Sequence, residues 1–331
     1  MKVGIIGAGL QAKRLVPAVM ESEKAKIVAI TAQPPDSAEN LAKKIGCKVL
    51  PDWPSVLDSG IDSVMVLTPP NLHAKISIEA MKKGIHVFCE KPIANTLEEA
   101  QEMIRVAKES KVVLNIGFNH RYHPAIRQVK KWHDDGLIGT INFIRSIYGI
   151  GARPNAKGEW RSDPKITAGG QLFEQGVHLI DLMRWFVGGP SEVVCFTSGT
   201  GSIVAPHEDS AFVMFRTKKG QVTNMHSSIL QWKNHFSFEV FGTKGYAIAT
   251  GLGGSYGTEK AILGKRDPAA PFMEEVTEYR GEDKSWSLEW LDFEKSVSSG
   301  LQGNSSDGYE ALKLVLAAYQ SDKEGKIIKL D

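Results

Sequence analysis

Glu90-Lys91-Pro92 is the tripeptide of the chain whose residue types and position are best suited to chemistry. It follows the apolar run 86–89, which predicts a buried strand that ends at the charged pair. In an open sheet of parallel strands, ligands bind beyond the carboxyl ends of the strands. An ammonium group at that edge can contact a cofactor and a substrate hydroxyl together. A solvated ion pair at a strand end is the alternative, because lysine side chains are usually exposed.

Residues 169–181 contain a second set of side chains suited to acid–base chemistry. Two glycines precede Glu174, His178 and Asp181, whose spacings of four and three residues place them on one face of an α-helix. A carboxylate beside an imidazole increases its basicity and fixes its tautomer. His178 is therefore a candidate general base for a hydroxyl proton. A helix-stabilising Glu–His pair, with Asp181 as a solvated or capping acid, is the alternative.

The elements that must position these side chains begin at the amino terminus. Residues 2–6 predict a strand, residues 13–20 predict a helix, and the pattern G-x-G-x-x-A lies between them. Gly7 permits a tight turn, Gly9 lets the backbone approach a pyrophosphate, and Ala12 allows close packing of helix on strand. The positive end of the helix favours an anion. The alternative is a glycine-rich turn without a ligand, and the strand and helix on either side argue against it.

The second predicted strand, residues 26–30, ends where many dinucleotide-binding proteins place an acidic residue on the ribose of NAD. Ala32 occupies that position, followed by Gln33. The missing carboxylate removes repulsion of a 2′-phosphate and so leans toward NADP. No arginine follows directly to bind that phosphate, although Lys13 and Arg14 are candidates. The choice between NAD and NADP stays open.

Helix and strand patterns alternate through the first third of the chain. Ser37 is a predicted helix cap, the buried strand 63–67 is followed by a turn at 68–73, and Thr96 to Glu99 form a capping box. The polar side chains of the turn are expected to line the dinucleotide. Regular alternation predicts a doubly wound parallel sheet, so we expect an α/β Rossmann domain over residues 1–120.

After Gly117 the pattern changes to that of an α+β domain, which we expect over residues 121–331. The predicted strands are 141–148, 192–197, 210–216, 222–230, 236–241 and 246–249, and the predicted helices are 124–135, 172–185, 285–298 and 307–323. Hairpin-like turns join several neighbouring strands, which predicts a large, mostly antiparallel open sheet. The glycine-rich segment 251–257 is expected to be a loop.

Composition excludes several other classes of protein. The 331 residues carry 40 basic and 38 acidic side chains without a basic block, so a nucleic-acid or membrane-surface partner has no electrostatic support. No apolar segment is long enough to span a bilayer, and because the first strand starts at Lys2 we expect no signal peptide. Three widely separated cysteines argue against a disulfide framework, and His120 and His123 lack nearby residues that would complete a metal site. We therefore predict a reduced, cytoplasmic protein without a metal centre.

Six segments of the chain together resemble the glucose–fructose oxidoreductase/inositol dehydrogenase (Gfo/Idh/MocA) family. In chain order they are Gly7-Ala8-Gly9, Thr68 to His73, Glu90-Lys91-Pro92, Asn119-His120-Arg121, Gly169-Gly170 through His178 to Asp181, and Gly308-Tyr309-Glu310-Ala311. The match runs along the whole chain and points to the family without naming a substrate. It implies a Rossmann domain, a C-terminal domain whose open sheet often mediates oligomers, and NAD(P)-dependent oxidation or reduction of sugars, inositols or nucleotide-sugars.

The resemblance also implies roles for individual residues. Lys91 matches the catalytic lysine and His178 the general acid/base, while Glu174 stands where the family often has an aspartate. The predicted cofactor-binding residues are Gly7, Gly9, Leu10, Gln11, Ala12, Ala32, Gln33, Thr68, Pro69, Asn71, His73, Glu90, Lys91 and Asn119. The predicted substrate contacts are Arg121, Trp160, Arg161, Asp181, Trp232 and His235. The Lys91–Pro92 bond is expected to be cis, as at some tight functional turns.

The resulting hypothesis is a carbohydrate oxidoreductase in which His178 takes the hydroxyl proton and Lys91 hydrogen-bonds the same oxygen while hydride passes to nicotinamide. Two alternatives stay open: an NAD-using glycosidase with a captive cofactor, and a non-catalytic dinucleotide sensor. We expect a small carbohydrate-like substrate, no nucleic acid or membrane partner, and a homodimer or homotetramer formed through the C-terminal sheet. Arg121, Arg161 and Lys157 are candidates to bind a substrate phosphate or carboxylate, as a nucleotide-sugar would need.

Overall fold

The computed structural model describes residues 1–152, 158–265 and 273–330, so Lys157 lies outside the described residues. The chain divides into two compact units. The first unit comprises Met1–Phe118 and Trp286–Leu312, and the second comprises Asn119–Ser285 and Lys313–Asp331.

The first unit contains a six-stranded parallel sheet in the order β3-β2-β1-β4-β5-β6. Its strands are β1 (Lys2–Ile6), β2 (Lys26–Thr31), β3 (Lys48–Val49), β4 (Ser63–Val66), β5 (His86–Cys89) and β6 (Leu114–Ile116), and the helices between them are α1 (Leu10–Met20), α2 (Pro35–Ile45), α3 (Trp53–Leu57), α4 (His73–Lys82) and α5 (Leu97–Ser110). This strand order is that of the Rossmann fold, in which ligands bind at the carboxyl edge. The predicted doubly wound parallel sheet is confirmed.

The second unit contains a nine-stranded sheet in the order β14-β13-β12-β11-β7-β10-β9-β8-β15. Its strands are β7 (Ile141–Gly151), β8 (Glu192–Ser198), β9 (Ser210–Arg216), β10 (Val222–Ser228), β11 (Leu230–Gly242), β12 (Gly245–Thr250), β13 (Glu259–Lys265), β14 (Met273–Tyr279) and β15 (Ile328–Lys329), and its helices include α6 (Pro124–Asp134) and α7 (Val177–Val187). Only the β7–β10 pair is parallel among the strand pairs of this sheet that the structure describes. The predicted mostly antiparallel sheet is confirmed.

Helix α8 (Ser285–Ser299), although late in the chain, completes the core of the first unit. Trp290 and Phe293 are 1% and 0% exposed, and both rings contact Phe88 of β5, with centroids 6.2 and 5.8 Å away. Burying two aromatic side chains against the sheet contributes several kcal/mol, at about 1.5–3 kcal/mol for each large apolar group. Helix α9 (Ser305–Glu324) follows, and the first unit continues to Leu312 within it.

Three local predictions differ from the structure. Helix α2 begins at Pro35 without a side-chain cap, and Ser37 instead donates a hydrogen bond from its hydroxyl to the Pro34 carbonyl, because a proline at the first position already suits a helix start. Strands β13 and β14 were not predicted. Strand β14 is mostly exposed and rich in glutamate, so its sequence lacks the apolar alternation that identifies a strand.

The third difference lies just before α7. Residues Leu172–Gly176 form a π-helical turn, and the α-helix begins only at Val177. Because a π-turn closes hydrogen bonds over five residues instead of four, the α-helical spacing argument no longer places Glu174 on the face of His178. The α-helical spacing therefore applies to His178 and Asp181, which both lie in α7, and does not apply to Glu174.

Candidate active site

The glycine turn after β1 is shaped to receive an anion. Gly7 has a φ of +105°, and a Cβ there would lie 2.5 Å from the Leu67 carbonyl oxygen, so only glycine fits. Gly9 caps α1 without any side-chain hydrogen bond, and a Cβ on it would project into open space. No acidic side chain occupies the first turn of α1, whose free N–H groups favour a negative charge. Gly7 to Ala12 thus fit a dinucleotide pyrophosphate.

A pocket of about 330 Å³ lies at the carboxyl end of β2. It is lined by Thr31, Ala32, Pro35, Ala38, Glu39, Val49, Leu50 and Pro51. Most of these side chains are apolar, and the one charged side chain that lines it within the described residues is Glu39 of α2. Gln33 lies in the same turn and precedes a cis peptide bond to Pro34. The pocket occupies the place expected for the adenosine end of a dinucleotide.

The turn after β5 contains Glu90 and Lys91, and the Lys91–Pro92 peptide bond is cis, as predicted. Glu90 is 5% exposed, and its Oε1 atom is buried without a hydrogen-bond partner. Burial raises the pKa of Glu90 to about 7, against the opposing influence of Lys91 and of a hydrogen bond from Gln11. Lys91 is half-buried. A carboxyl group with one unsatisfied oxygen therefore lies beside the candidate catalytic lysine.

His73 links this turn to the turn after β4. Its Nδ1 lies 2.8 Å from the Pro92 carbonyl oxygen, and its Nε2 lies 2.8 Å from the Thr68 carbonyl oxygen. Two carbonyl acceptors favour the charged imidazolium, whereas burial lowers the pKa of His73 and is the larger effect. Both ring nitrogens of His73 thus contact backbone carbonyl oxygens. In the same turn, Pro69 is half-buried and Asn71 is exposed. We assign His73 a role in holding the two turns together.

His178 of the second unit is 4% exposed and stacks on another imidazole, that of His120. The ring centroids are 3.8 Å apart and the planes differ by 20°. Tyr148 of β7 approaches both rings, at 5.0 Å from His120 and 6.2 Å from His178. His120 Nδ1 lies 3.1 Å from Asn119 Oδ1, and Asn119 donates to the Ser285 hydroxyl at 3.1 Å.

Glu174 and Asp181, the two acids predicted to share a helical face with His178, are each paired with an arginine. Asp181 is 0% exposed and accepts two hydrogen bonds from Arg121, at 2.5 and 2.7 Å. Glu174 accepts a hydrogen bond from Arg161 Nε at 2.7 Å. The Arg161 guanidinium also lies 4.2 Å from the ring centroid of Trp160. These bidentate and stacked geometries suit arginine, whose planar fork matches carboxylates and aromatic faces.

Trp232 and His235 are both exposed on β11, where the pairing with β7 is irregular between Leu230 and His235. Trp232 is 98% exposed and has a φ of +57°, which is unusual for a bulky residue.

The contact between His120 and His178 was not predicted from the sequence, although His120 belongs to the Asn119-His120-Arg121 motif. Stacking between residues so far apart leaves no periodic signal in the sequence.

Two negative findings complete the description. No group of three or more His, Cys, Asp or Glu side chains within residues 1–152, 158–265 and 273–330 is arranged to hold a metal ion. Across the same ranges, every helix is too short or too polar to cross a membrane.

The sheet order and the glycine turn define a dinucleotide-binding domain of the Rossmann type. A model of the oxidoreductase family with an NAD-binding Rossmann fold matches residues 1–118, and a GFO/IDH/MocA C-terminal domain model matches residues 126–248. The chain belongs to the Gfo/Idh/MocA family, as the sequence motifs predicted.

Named relatives cover much or all of the chain. Levoglucosan dehydrogenase of Pseudarthrobacter phenanthrenivorans is 29% identical over 284 residues, which are 75% of this chain and 73% of that protein. Inositol 2-dehydrogenase of Rhizobium meliloti is 28% identical over 352 aligned positions, 100% of this chain and 99% of that protein. A 2,7-anhydro-N-acetylneuraminate hydratase of Mediterraneibacter gnavus is 28% identical over 247 residues, 73% of this chain and 65% of that protein.

Solved structures agree with the fold. A levoglucosan dehydrogenase in complex with NADH and levoglucosan has a TM-score of 0.91 and 26% identity, and the match covers 100% of this chain and 99% of that one. The protein is therefore an oxidoreductase of this family.

Proposed function

We propose that this protein is an NAD(P)-dependent dehydrogenase that acts on a secondary alcohol or ketone of a carbohydrate-like substrate. The observation that carries the proposal is the open, uncapped start of α1 behind Gly7 and Gly9, at the carboxyl edge of a Rossmann sheet. Membership of a family that contains sugar and inositol dehydrogenases supports the substrate class. When bound, a nicotinamide accepts or gives a hydride at the substrate carbon.

The residues of the chain supply orientation and proton transfer. We propose that His178 accepts the hydroxyl proton of the substrate and returns it in the reverse reaction, as a buried imidazole can at neutral pH. Lys91 donates a hydrogen bond to the same oxygen and stabilises negative charge on it. Glu174 holds Arg161 beside Trp160, and this group is proposed to position the substrate. These roles remain proposals for Lys91, His178 and Glu174.

The pocket at the end of β2 supports NAD as the cofactor. Ala32 supplies no acid to the ribose, but Glu39 places a carboxylate in the lining of the same pocket, where it would repel a 2′-phosphate. Arg14 is engaged elsewhere, donating to Gln11 at 3.3 Å and lying over Trp286 at 5.9 Å. We therefore infer that NADH binds at least about tenfold more tightly than NADPH.

Fluorescence titration with NADH and NADPH tests this preference. Glu39→Gln should narrow the difference by improving NADPH binding, whereas Glu98→Gln, an exposed acid on α5, should leave it unchanged. Equal affinities of the native protein for NADH and NADPH would overturn the assignment of NAD as the cofactor but would not contradict the proposed reaction.

The arginines of the second unit favour an uncharged substrate. Arg121 is committed to Asp181 and Arg161 to Glu174, so neither cation lacks a carboxylate partner. A substrate phosphate would have to displace one of those acids. We therefore propose a free sugar or inositol in preference to a nucleotide-sugar.

One observation favours a second reading. A relative that is 28% identical is named a hydratase, a reaction without net oxidation. If this chain worked in that way, turnover would leave nicotinamide absorbance unchanged and the dinucleotide would copurify with the protein.

We propose that the second unit forms homo-oligomers through its sheet. Phe196, Phe212 and Met214 are 69%, 50% and 45% exposed, and Phe196 pairs directly across from Phe212 on neighbouring strands. Contiguous exposed apolar side chains mark interaction surfaces. Light scattering should show a dimer or tetramer that Phe212→Asp dissociates. Leu301→Asp changes an exposed apolar residue of the first unit and should leave the oligomer intact.

We also propose a cytoplasmic location. The free thiols of Cys47, Cys89 and Cys195 support it.

The decisive experiment measures nicotinamide absorbance with NAD⁺ or NADP⁺ and a panel of inositols, free aldoses and UDP-sugars. Lys91→Ala should lower kcat by at least about a thousandfold while dinucleotide affinity changes little. Lys75→Ala, on the exposed side of α4, is the matched control. If the native protein binds a dinucleotide but oxidises no substrate of the panel, the reaction without net oxidation becomes the favoured function. If the native protein binds no dinucleotide, the proposal is overturned.

A further inference from the structure

The stacked pair of imidazoles in the second unit has geometry that a packing role alone does not require. His120 and His178 are each 4% exposed, and their rings lie 3.8 Å apart and nearly parallel. At this separation two imidazolium ions would repel each other strongly, because buried charges are poorly screened. The geometry therefore disfavours a positive charge on both rings at once.

Hydrogen bonding identifies which nitrogen of His120 carries a hydrogen. The Asn119 amide nitrogen donates to the Ser285 hydroxyl at 3.1 Å, so the amide oxygen is the atom that faces His120. That oxygen lies 3.1 Å from His120 Nδ1, so this nitrogen must carry the hydrogen. The Ser285 backbone N–H in turn donates to Asp283 Oδ1 at 2.9 Å. The contact with Asn119 thus places a hydrogen on Nδ1 of His120, as in the Nδ1–H tautomer of a neutral ring.

Neighbouring rings fix the orientation of His120 as well. Tyr148 and Phe236 lie 5.0 and 5.8 Å from it, and His123 meets it edge-on at 5.7 Å with an interplanar angle of 77°. His123 is itself directed to Glu259 Oε2 at 3.2 Å. Arg121, the residue after His120, is paired with Asp181 of α7.

We propose that His120 is a positioning residue for His178: its neutral, oriented ring fixes the plane of the His178 imidazole and stabilises the imidazolium that forms when His178 takes the substrate proton. The physical basis is the attraction between a cation and the face of an aromatic ring. This inference rests on the proposed role of His178 as the base. It assigns to His120 an effect on proton transfer and none on dinucleotide binding.

The first test measures the native protein and needs no substrate. Nitrogen-15 NMR of the histidine side chains in the native protein should show His120 with its proton on Nδ1 throughout the neutral pH range. The signals are assigned by loss of one resonance in His120→Phe and another in His178→Gln. A His120 ring that carries its proton on Nε2, or that protonates before His178, would overturn the inference.

The second test compares two substitutions of His120. His120→Phe keeps an aromatic face against His178, whereas His120→Leu removes it, and both lose the Asn119 contact. We expect kcat to fall at least about tenfold in His120→Leu and only about threefold in His120→Phe, with KM for the nicotinamide unchanged in both. The acid limb of the kcat/KM profile should move to lower pH by roughly half a unit in the leucine variant alone.

A merely structural role predicts a different pattern. In that case both variants would lose kcat in proportion to their loss of stability, with no displacement of the acid limb, and this result would overturn the inference. His133→Leu, a half-buried histidine of α6, is the matched control and should not displace the limb.

Failure of the proposed function can be told apart from failure of this inference. If His178→Gln retained turnover, the role of His178 as base would fall. The NMR titration of His178 in the His120→Leu variant would still report the coupling between the rings, because it is measured without substrate. An unchanged titration of His178 in that variant would overturn the inference by itself.

Discussion

Arg121 and Asp181 form an ion pair in which the carboxylate is completely buried and both of its oxygens accept hydrogen bonds from one guanidinium, at 2.5 and 2.7 Å. The Arg121 guanidinium also lies 5.7 Å from the ring centroid of Trp185, on the same helix as Asp181. The pair therefore joins the segment before α6 to helix α7, which carries His178.

Removing one partner of this pair should be costly. We expect Arg121→Met to lower the free energy of unfolding by about 3–5 kcal/mol, because a buried carboxylate is left without its cation. Urea denaturation of the purified protein measures the loss. Arg105→Met, which removes an exposed cation bonded to Glu102 and Glu109, is the control and should change the stability far less than Arg121→Met does. A double variant Arg121→Met/Asp181→Leu that is no more stable than Arg121→Met would contradict the explanation.

Substitutions of the two glycines in the turn after β1 should have different effects, one on stability and the other on cofactor binding. Gly7→Ala should lower the free energy of unfolding by about 2–4 kcal/mol, since its Cβ would meet the Leu67 carbonyl oxygen at a positive φ. Gly9→Ala should fold normally but bind NADH at least about tenfold more weakly, because its methyl group would occupy the open space before α1. Urea denaturation and fluorescence titration separate the two effects. Normal NADH affinity in Gly9→Ala would exclude this turn as the pyrophosphate site.

Glu90 should make stability depend on pH. The unfolded side chain releases its proton near the ordinary glutamate pKa of 4.5, whereas burial raises the folded pKa of Glu90 to about 7. Between those values the unfolded state binds fewer protons, so the contribution of Glu90 to stability falls as pH rises.

Glu90→Gln removes this titration. From pH 4.5 to pH 8 the variant should gain about 2–3 kcal/mol of unfolding free energy relative to the native protein. Denaturation midpoints across that range, with Glu98→Gln as an exposed control, provide the measurement. Parallel pH curves for Glu90→Gln and the native protein would show that the carboxyl group is not perturbed.

The bridge made by His73 should be needed for stability and for cofactor affinity. His73→Leu would leave the Thr68 and Pro92 carbonyl oxygens buried without their partner, at a cost of about 2–4 kcal/mol. His73→Gln keeps an amide donor and should recover part of the loss. We expect NADH affinity to fall with stability in the leucine variant, since the bridge shapes two turns at the ligand edge of the sheet. Native stability in His73→Leu would show that the two contacts contribute little.

Local patterns accounted for most of the first unit. The turn from Gly7 to Ala12 and the capping box of α5, with Thr96 bonded to the Glu99 backbone N–H and Glu99 returning to Thr96, are short-range arrangements that a few neighbouring residues specify. Helix α5 begins at Leu97, directly after Thr96 of the predicted capping box. The cis bond before Pro92 was anticipated from a motif.

Local sequence patterns could not predict the contacts between residues that are far apart in the chain. The packing of Trp290 against Phe88 joins residues about two hundred positions apart, and the stacking of His120 on His178 joins the segment before α6 to helix α7. The π-helical turn at Leu172–Gly176 also escaped prediction, because π and α turns have no distinct residue code over five positions.

By itself, the sequence determined the parallel, doubly wound class of the first sheet, the mostly antiparallel class of the second, the glycine turn and the identity of the residues available for chemistry. These follow from periodicity and from the backbone freedom of single residues, which act over a few positions. Only the tertiary structure decided which carboxylate meets which arginine, which imidazole faces His178, and which side chain of α2 enters the pocket at β2. Those choices depend on burial, where a charge must find a partner and a ring must fill a space, and burial is a property of the whole folded chain.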